Sequence, residues 1–222
     1  WLAWPHERTD WPGKFEPIPW VYADIVRHLA RVERVRILVG SAGERTRAKR
    51  ILTKTGANLA AVDFYIVPTN RGWTRDYGPV FVKKGDAQDP GGVALTNWRF
   101  NAWAKYDDWP KDDAATKRLI PKLKLPFWEP IWAPPCGSRL QPRHKTSKSD
   151  AALAAGPRRI VLEGGSIDVN GLGTMLTTEE CLLSKVQARN PGFTREDMEA
   201  IFREYLGVTN TLWLGNGIAG DD

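Results

Sequence analysis

Apolar positions along the chain follow two spacings, and the alternation between them sets out the elements. From Pro17 to Val32 they recur at helical intervals, at Val21, Ile25, Leu29 and Val32, and predict a helix that buries this stripe. VRILV (35–39) is continuous and reads as a buried strand. GERTRAKRILTKTG (43–56) predicts a mostly solvated helix ending at Gly56, and VDFYIV (62–67) a second strand. PVFVKK (79–84) and VALTNW (93–98), joined by GDAQDPGG, predict a hairpin, with a helix following from Asp112 to Leu123.

The same order returns in the second half. RIVL (159–162) predicts a strand, and SIDVNGLGTMLT (166–177) two short strands joined at Asn170-Gly171, a strong turn pair. Thr177 and Glu180 stand at capping-box spacing for a short helix. A longer helix is expected from Thr194, with Asp197 three residues on. It would bury Met198, Ile201, Phe202, Tyr205 and Leu206 and stop at Gly207. TLWL (211–214) is a further strand.

One unit therefore recurs: strand, acid-bearing loop, hairpin, helix. Asp76, Glu163 and the pair Asp221-Asp222 hold equivalent places in three successive copies. The first spacing is stretched by an insertion at 133–157, polar, rich in Pro, Ser and Lys and without periodicity. Units of this kind bury both faces only when stacked, so the expected fold is α/β, propeller-like, with the acid loops converging at the centre. Glu163 ends an apolar run and is followed at once by Gly164 and Gly165, a sequence that lets backbone lie close to a ligand. Asp168 alternates with Ile167 and Val169 and is expected on the solvent side.

Composition narrows the classes. At 42% hydrophobic in 222 residues the chain can bury a core, and no apolar run approaches a membrane span. Two cysteines, Cys136 and Cys181, make no disulfide framework and fit a reducing, cytoplasmic setting. The net charge of +6 resides largely in 44–50, 143–150 and 158–159, so a basic helix face and a basic loop account for it without a nucleic-acid partner. Homo-oligomerisation is compatible with the sequence. The chain starts at Trp1 and reads as a stretch lacking some N-terminal residues.

Carboxylates meeting in a pocket suit a metal ion, a glycosidase pair or the grip on a planar cation. His6, His28 and His144 lie outside the acid loops and show no ligand spacing, so no metal and no cofactor is expected. A guanidinium group matches carboxylates two oxygens at a time, and Trp73, three residues before Asp76, offers a ring to a cation or an alkyl chain.

WLAWPHERTDWPGK (1–14), TNRGWTRDYGPVFV (69–82), NWRFNAWAKYDDW (97–109) and LEGGSIDVNGLGTMLTTEECLLS with RNPGFT (162–194) resemble the agmatine deiminase family, guanidine-modifying enzymes related to bacterial peptidylarginine deiminases. The resemblance spans nearly the whole chain apart from 133–157. It implies a five-bladed α/β propeller of the pentein type, of which this chain would be about three blades in one incomplete domain. It implies hydrolysis of agmatine to N-carbamoylputrescine and ammonia through a covalent cysteine adduct, in putrescine biosynthesis. Asp76 and Glu163 match the carboxylates that hold the guanidinium, Trp73 matches a pocket wall, and Arg75 is a candidate substrate-binding neighbour.

The family's Gly-His-(Ile/Val)-Asp motif and its late nucleophilic cysteine do not fall within 1–222, so this stretch alone is expected to be inactive. Cys181 follows Glu179 and Glu180, whose charge disfavours a thiolate, and Cys136 lies in the insertion; neither suits a nucleophile. Arginine or peptidylarginine remain alternative substrates. A non-catalytic guanidinium binder and a basic nucleic-acid module are competing classes, the latter marked by steep salt dependence.

Overall fold

The computed structural model describes residues 1–83, 92–132, 157–186 and 188–217. They form two compact units: Trp1–Gly78 with Asp107–Lys124, and Pro79–Tyr106 with Leu125–Asp222. Both are α/β, as expected.

The first unit is built on a three-stranded parallel sheet in the order β1-β2-β3: β1 (Leu2–Ala3), β2 (Val35–Val39) and β3 (Val62–Ile66). Helices α1 (Ile18–Leu29) and α2 (Ala42–Lys54) share its core, where Ala23, Val26, Ala30, Ile37, Val39, Ala48 and Leu52 meet. Helix α1 does not bury the stripe its spacing suggests. Val21, Ile25 and Val32 are exposed, and the buried face is Ala23, Val26 and Ala30. Leu29, alone of the stripe, and Tyr22 pack against the same core while partly buried. Helix α2 is solvated as expected, capped by Ser41 and burying only Glu44, Ala48 and Leu52. Two further helices belong to the unit: the short α3 (Thr74–Tyr77), and α4 (Pro110–Leu123), which begins two residues early because Pro suits the first helical position.

The second unit repeats one topology. Sheet β4-β5-β6 comprises β4 (Val80–Lys83), β5 (Val93–Thr96) and β6 (Phe127–Trp128). The other comprises β9 (Asp168–Val169), β10 (Thr174–Thr178) and β11 (Asn210–Leu214), in the order β11-β10-β9. In each, an antiparallel hairpin is followed by a parallel strand laid beside its second member. Strands β7 (Ile131–Trp132) and β8 (Arg158–Arg159) pair separately. The recurring unit inferred from the chain is thus present twice as sheet order. The turn between β9 and β10 is longer than a two-residue Asn-Gly turn. Asn170 accepts from Leu172 and Thr174 through its side chain, and Gly171 and Gly173 take positive φ.

Helix α5 (Glu179–Leu183) is capped by Thr178, not Thr177, whose hydroxyl instead donates to the Ser166 carbonyl. Helix α6 (Arg195–Leu206) has the expected capping box between Thr194 and Asp197 and ends at Gly207 with φ 68°. Its Met198, Ile201 and Phe202 pack with Met175, Leu182, Ile160 and Leu162 as the core. No helix among the described residues is long and apolar enough to cross a membrane. Residues 133–156 of the expected insertion lie outside the described residues.

One backbone feature was not legible in the chain. Ala102, Trp103 and Ala104 all take positive φ, 49°, 60° and 58°. Left-handed backbone costs an L-residue roughly 1–2 kcal/mol. The exposed Ala104 packs against little, so Ala104→Gly should stabilise the fold by about 0.5–1 kcal/mol after glycine's entropy loss, read as a higher Tm.

Candidate functional site

Strand β3 hands the chain to a loop that carries three of the expected site residues on one short turn. Trp73 stands at the N-terminal cap of α3, and Arg75 and Asp76 lie within it. Trp73 and Asp76 are half-buried and Arg75 is exposed. The Asp76 amide donates to the Trp73 carbonyl at 3.0 Å, which closes the turn around the acid. Gly78 ends it. A Cβ there would meet the Thr74 carbonyl oxygen at 2.4 Å, so only glycine fits.

This turn is held by its own neighbours in the chain and by residues brought in from elsewhere in the unit. The Asn70 and Arg71 amides both donate to Asp112 Oδ1, at 2.6 and 3.3 Å, and Asn70 Oδ1 accepts in return from the Lys111 amide at 2.8 Å. The Tyr77 hydroxyl donates to the Arg71 carbonyl at 3.0 Å, and Thr116 donates to the Tyr77 carbonyl at 3.1 Å. The His6 ring spans two carbonyls, Trp4 at 2.9 Å and Thr69 at 3.1 Å.

The Arg71 guanidinium is the most heavily engaged group. It donates to Asp10 Oδ1 at 2.6 Å, Thr9 Oγ1 at 2.9 Å and Asp108 Oδ2 at 2.7 Å, and lies 5.3 Å from the Trp73 ring centroid. Two carboxylates and an aromatic face thus grip a guanidinium, but one belonging to the protein. Burial would lower the pKa of Arg71, yet the bonds to Asp10 and Asp108 hold it above the ordinary value. Burial dominates at Asp10, whose pKa rises although Arg71 opposes it.

Asp112 is fully buried, with Oδ2 lacking a hydrogen-bond partner among the described residues. Desolvation raises its pKa to about 7, against the two amides that favour the carboxylate.

In the second unit, Glu163 leaves the apolar run Ile160–Leu162 and is itself 0% exposed. The run pairs in parallel with the chain at Arg99, whose amide donates to Ile160 and whose carbonyl accepts from Leu162. Beyond Glu163 the chain turns sharply through Gly164–Ser166, with Ser166 Oγ and its amide both closing on the Glu163 carbonyl. Asn190 pins the run from the side: its Nδ2 donates to the Val161 carbonyl at 2.8 Å and its Oδ1 accepts from the Val161 amide at 3.0 Å. Arg189, next in line and equally buried, donates from Nε to Glu163 Oε1 at 3.2 Å. Glu163 Oε2 has no partner among the described residues. Desolvation raises the Glu163 pKa and the Arg189 charge opposes the rise.

Trp73, Arg75 and Asp76 therefore come together on one turn of the first unit, while Glu163 is placed by the second. Asp168 is exposed, as its alternation suggests. Cys181 is half-buried and its amide donates to the Thr178 cap. Asp221, Asp222, Cys136 and His144 lie outside the described residues. Among the described residues no cluster of three metal-ligating side chains occurs. Arg71, Asp112, Arg189 and Asn190 were not anticipated. Asp112 opens a helix expected from the chain, and Arg189-Asn190 open the RNPGFT stretch, which by itself assigns neither a role.

Known proteins resemble this chain over its full length. The family model described as Porphyromonas-type peptidyl-arginine deiminase matches residues 1–222. The chain is 31% identical to an agmatine deiminase of Stutzerimonas stutzeri over 227 residues, and 32% identical to one of Pseudomonas putida, covering 100% of itself and 51% of each relative. It therefore spans about half the length of the curated relatives it matches. Among solved structures, it superposes on an agmatine deiminase of Enterococcus faecalis with a TM-score of 0.72 at 27% identity, covering 98% of itself and 50% of that chain. A substrate-bound agmatine deiminase of C. jejuni gives a TM-score of 0.69 at 25% identity, with 98% and 53% covered.

Proposed function

The chain belongs to the Porphyromonas-type peptidyl-arginine deiminase family, and on that premise we propose that the protein containing it hydrolyses agmatine to N-carbamoylputrescine and ammonia, a step toward putrescine. Glu163 and Asp76 hold the guanidinium, Trp73 lies against the substrate, and Arg75 flanks it. A cysteine and a histidine outside residues 1–222 supply the covalent and proton-transfer chemistry. The thiolate adds to the guanidinium carbon, forming a C–S bond. A C–N bond then breaks and ammonia leaves with a proton from the histidine. Water adds to the same carbon and gives up its two protons, one back to the histidine and one to the released ammonia, the C–S bond breaks, and the thiolate is restored. Paired carboxylates contribute by fixing the orientation of the cation before attack. The fold we assign to the whole is a pentein-type propeller, to which the repeated three-stranded sheets of the second unit would contribute blades.

One observation carries the reading. Glu163 is a fully buried carboxylate with one oxygen paired to Arg189 and the other without a partner among the described residues. A buried acceptor in that state is costly unless something fills it, and a flat cation with forked N–H donors is the chemical complement. The names and the substrate-bound state of the relatives support agmatine as that cation.

The family's own description names peptidylarginine, so the two substrates are tested against each other. Ammonia release by the full-length protein should be at least about tenfold more efficient, in kcat/KM, for agmatine than for free arginine or an arginyl peptide, a difference of about 1.4 kcal/mol. Preference for the peptide would overturn the assignment to agmatine, and no release from any of the three would overturn the deiminase reading.

A further inference from the structure

The contacts of Arg71 go beyond tying down a loop. Its guanidinium reaches three separate segments: Thr9 and Asp10 near the start of the chain, Asp108 just ahead of α4, and the ring of Trp73. Its backbone carries two more links, the amide to Asp112 and the carbonyl to the Tyr77 hydroxyl. The side chain is only 17% exposed, and its partner Asp10 only 3%. The planar fork is thus locked in plane by two carboxylates, and the ring it touches is the one that the proposed function sets against substrate.

We propose that Arg71 is a positioning residue for the proposed deiminase reaction, holding the Trp73 ring in one orientation so that the ring meets the substrate already ordered. This rests on the deiminase reading. Lysine at this position would keep the charge and an ion pair with Asp10 or Asp108, but it lacks the planar fork that both carboxylates and the ring engage. Alanine would leave the buried Asp10 without its counter-charge and lose stability as well. The two substitutions therefore separate fold from orientation.

The test uses the full-length protein with Arg71→Lys and Arg71→Ala. Arg71→Lys should keep a Tm near that of the wild type yet raise KM for agmatine at least tenfold, with kcat changing less. Arg71→Ala should lower Tm and raise KM further. A KM that returns to wild-type value along with Tm in Arg71→Lys would reduce Arg71 to a structural role and overturn the proposal. Its second arm needs no turnover. In protein labelled with 5-fluorotryptophan, the ¹⁹F resonance of Trp73, identified by its loss in Trp73→Phe, should shift or broaden in Arg71→Lys while the other tryptophan resonances stay in place. An unmoved Trp73 resonance overturns the positioning role. A wild-type protein that releases no ammonia from agmatine, arginine or an arginyl peptide, with the resonance moved, overturns the deiminase reading and leaves the hold of Arg71 on the ring standing.

Discussion

Replacing Arg189 with methionine is expected to destabilise the protein by about 3–5 kcal/mol at pH 8, measured by urea unfolding. The size follows from burial. Arg189 and Glu163 are both nearly inaccessible, and the pair is joined through Arg189 Nε and Glu163 Oε1. Removing the cation strands a carboxylate whose other oxygen already lacks a partner among the described residues. The penalty should shrink at pH 5. Burial already raises the Glu163 pKa, with Arg189 opposing, and loss of Arg189 lets it climb further. The folded variant then binds a proton that the unfolded chain has released, so its stability falls as pH rises from the ordinary carboxylate range. Replacing both partners, Glu163→Leu with Arg189→Met, should recover most of the loss, because no charge is left buried. An equal penalty at pH 5 and pH 8 would mean that Arg189 acts by packing and that its charge contributes nothing at Glu163.

This pair also marks the boundary of what the chain discloses. Strands β2, β3, β5, β10 and β11 and helix α6 were legible because each has a strong local cause: a short, mostly apolar or β-branched stretch between turn signals, or a capping box followed by helical spacing and a terminal glycine. The recurrence of the hairpins was legible for the same reason, but the laying of a parallel strand beside each was not. The exposed stripe of α1 was misread because spacing reports that a helix has an apolar side, whereas the buried side is chosen by which face packs most closely. The Thr177 cap was misplaced by one residue because two threonines adjoin, and which hydroxyl turns inward is decided by the distant Ser166 carbonyl.

At the candidate site, the residues that would touch substrate were visible as local anomalies. An acid after Ile160–Leu162 and before two glycines has little other reason to be there, and Trp73 with Asp76 belongs to a compact motif. Of the residues that hold them in place, Arg71, Arg189 and Asn190 lie in the stretches quoted for the resemblance, but nothing local marks what they or Asp112 do. Arg71 meets Asp10 across 61 positions and Asp112 meets Asn70 across 42. Such pairings depend on tertiary approach, and a single chain without its fold contains no record of them.

Asp112 supplies the second large effect. Its folded pKa of about 7 lies well above the ordinary aspartate value of 3.8. Between these values the folded protein keeps the proton and the unfolded chain has lost it, so stability falls as pH rises through this window and levels off above pH 7. The full difference amounts to roughly 4 kcal/mol. Asp112→Asn keeps an oxygen for the Asn70 and Arg71 amides and removes the titration. Its stability relative to wild type should therefore rise by roughly 3–4 kcal/mol between pH 4.5 and pH 8, in unfolding series at fixed salt. Some slope should survive in the variant, since burial raises Asp10 and Glu163 in the same sense. Asp112→Ala is the contrast. It removes the acceptor for both amides, and with it the support beneath the turn that carries Trp73 and Asp76, so it should lose stability relative to Asp112→Asn at every pH. Parallel curves for wild type and Asp112→Asn would show that Asp112 is ionised throughout. The two amides at 2.6 and 3.3 Å would then be strong enough to offset its burial, and the turn would rest on a permanent charge with no proton to exchange.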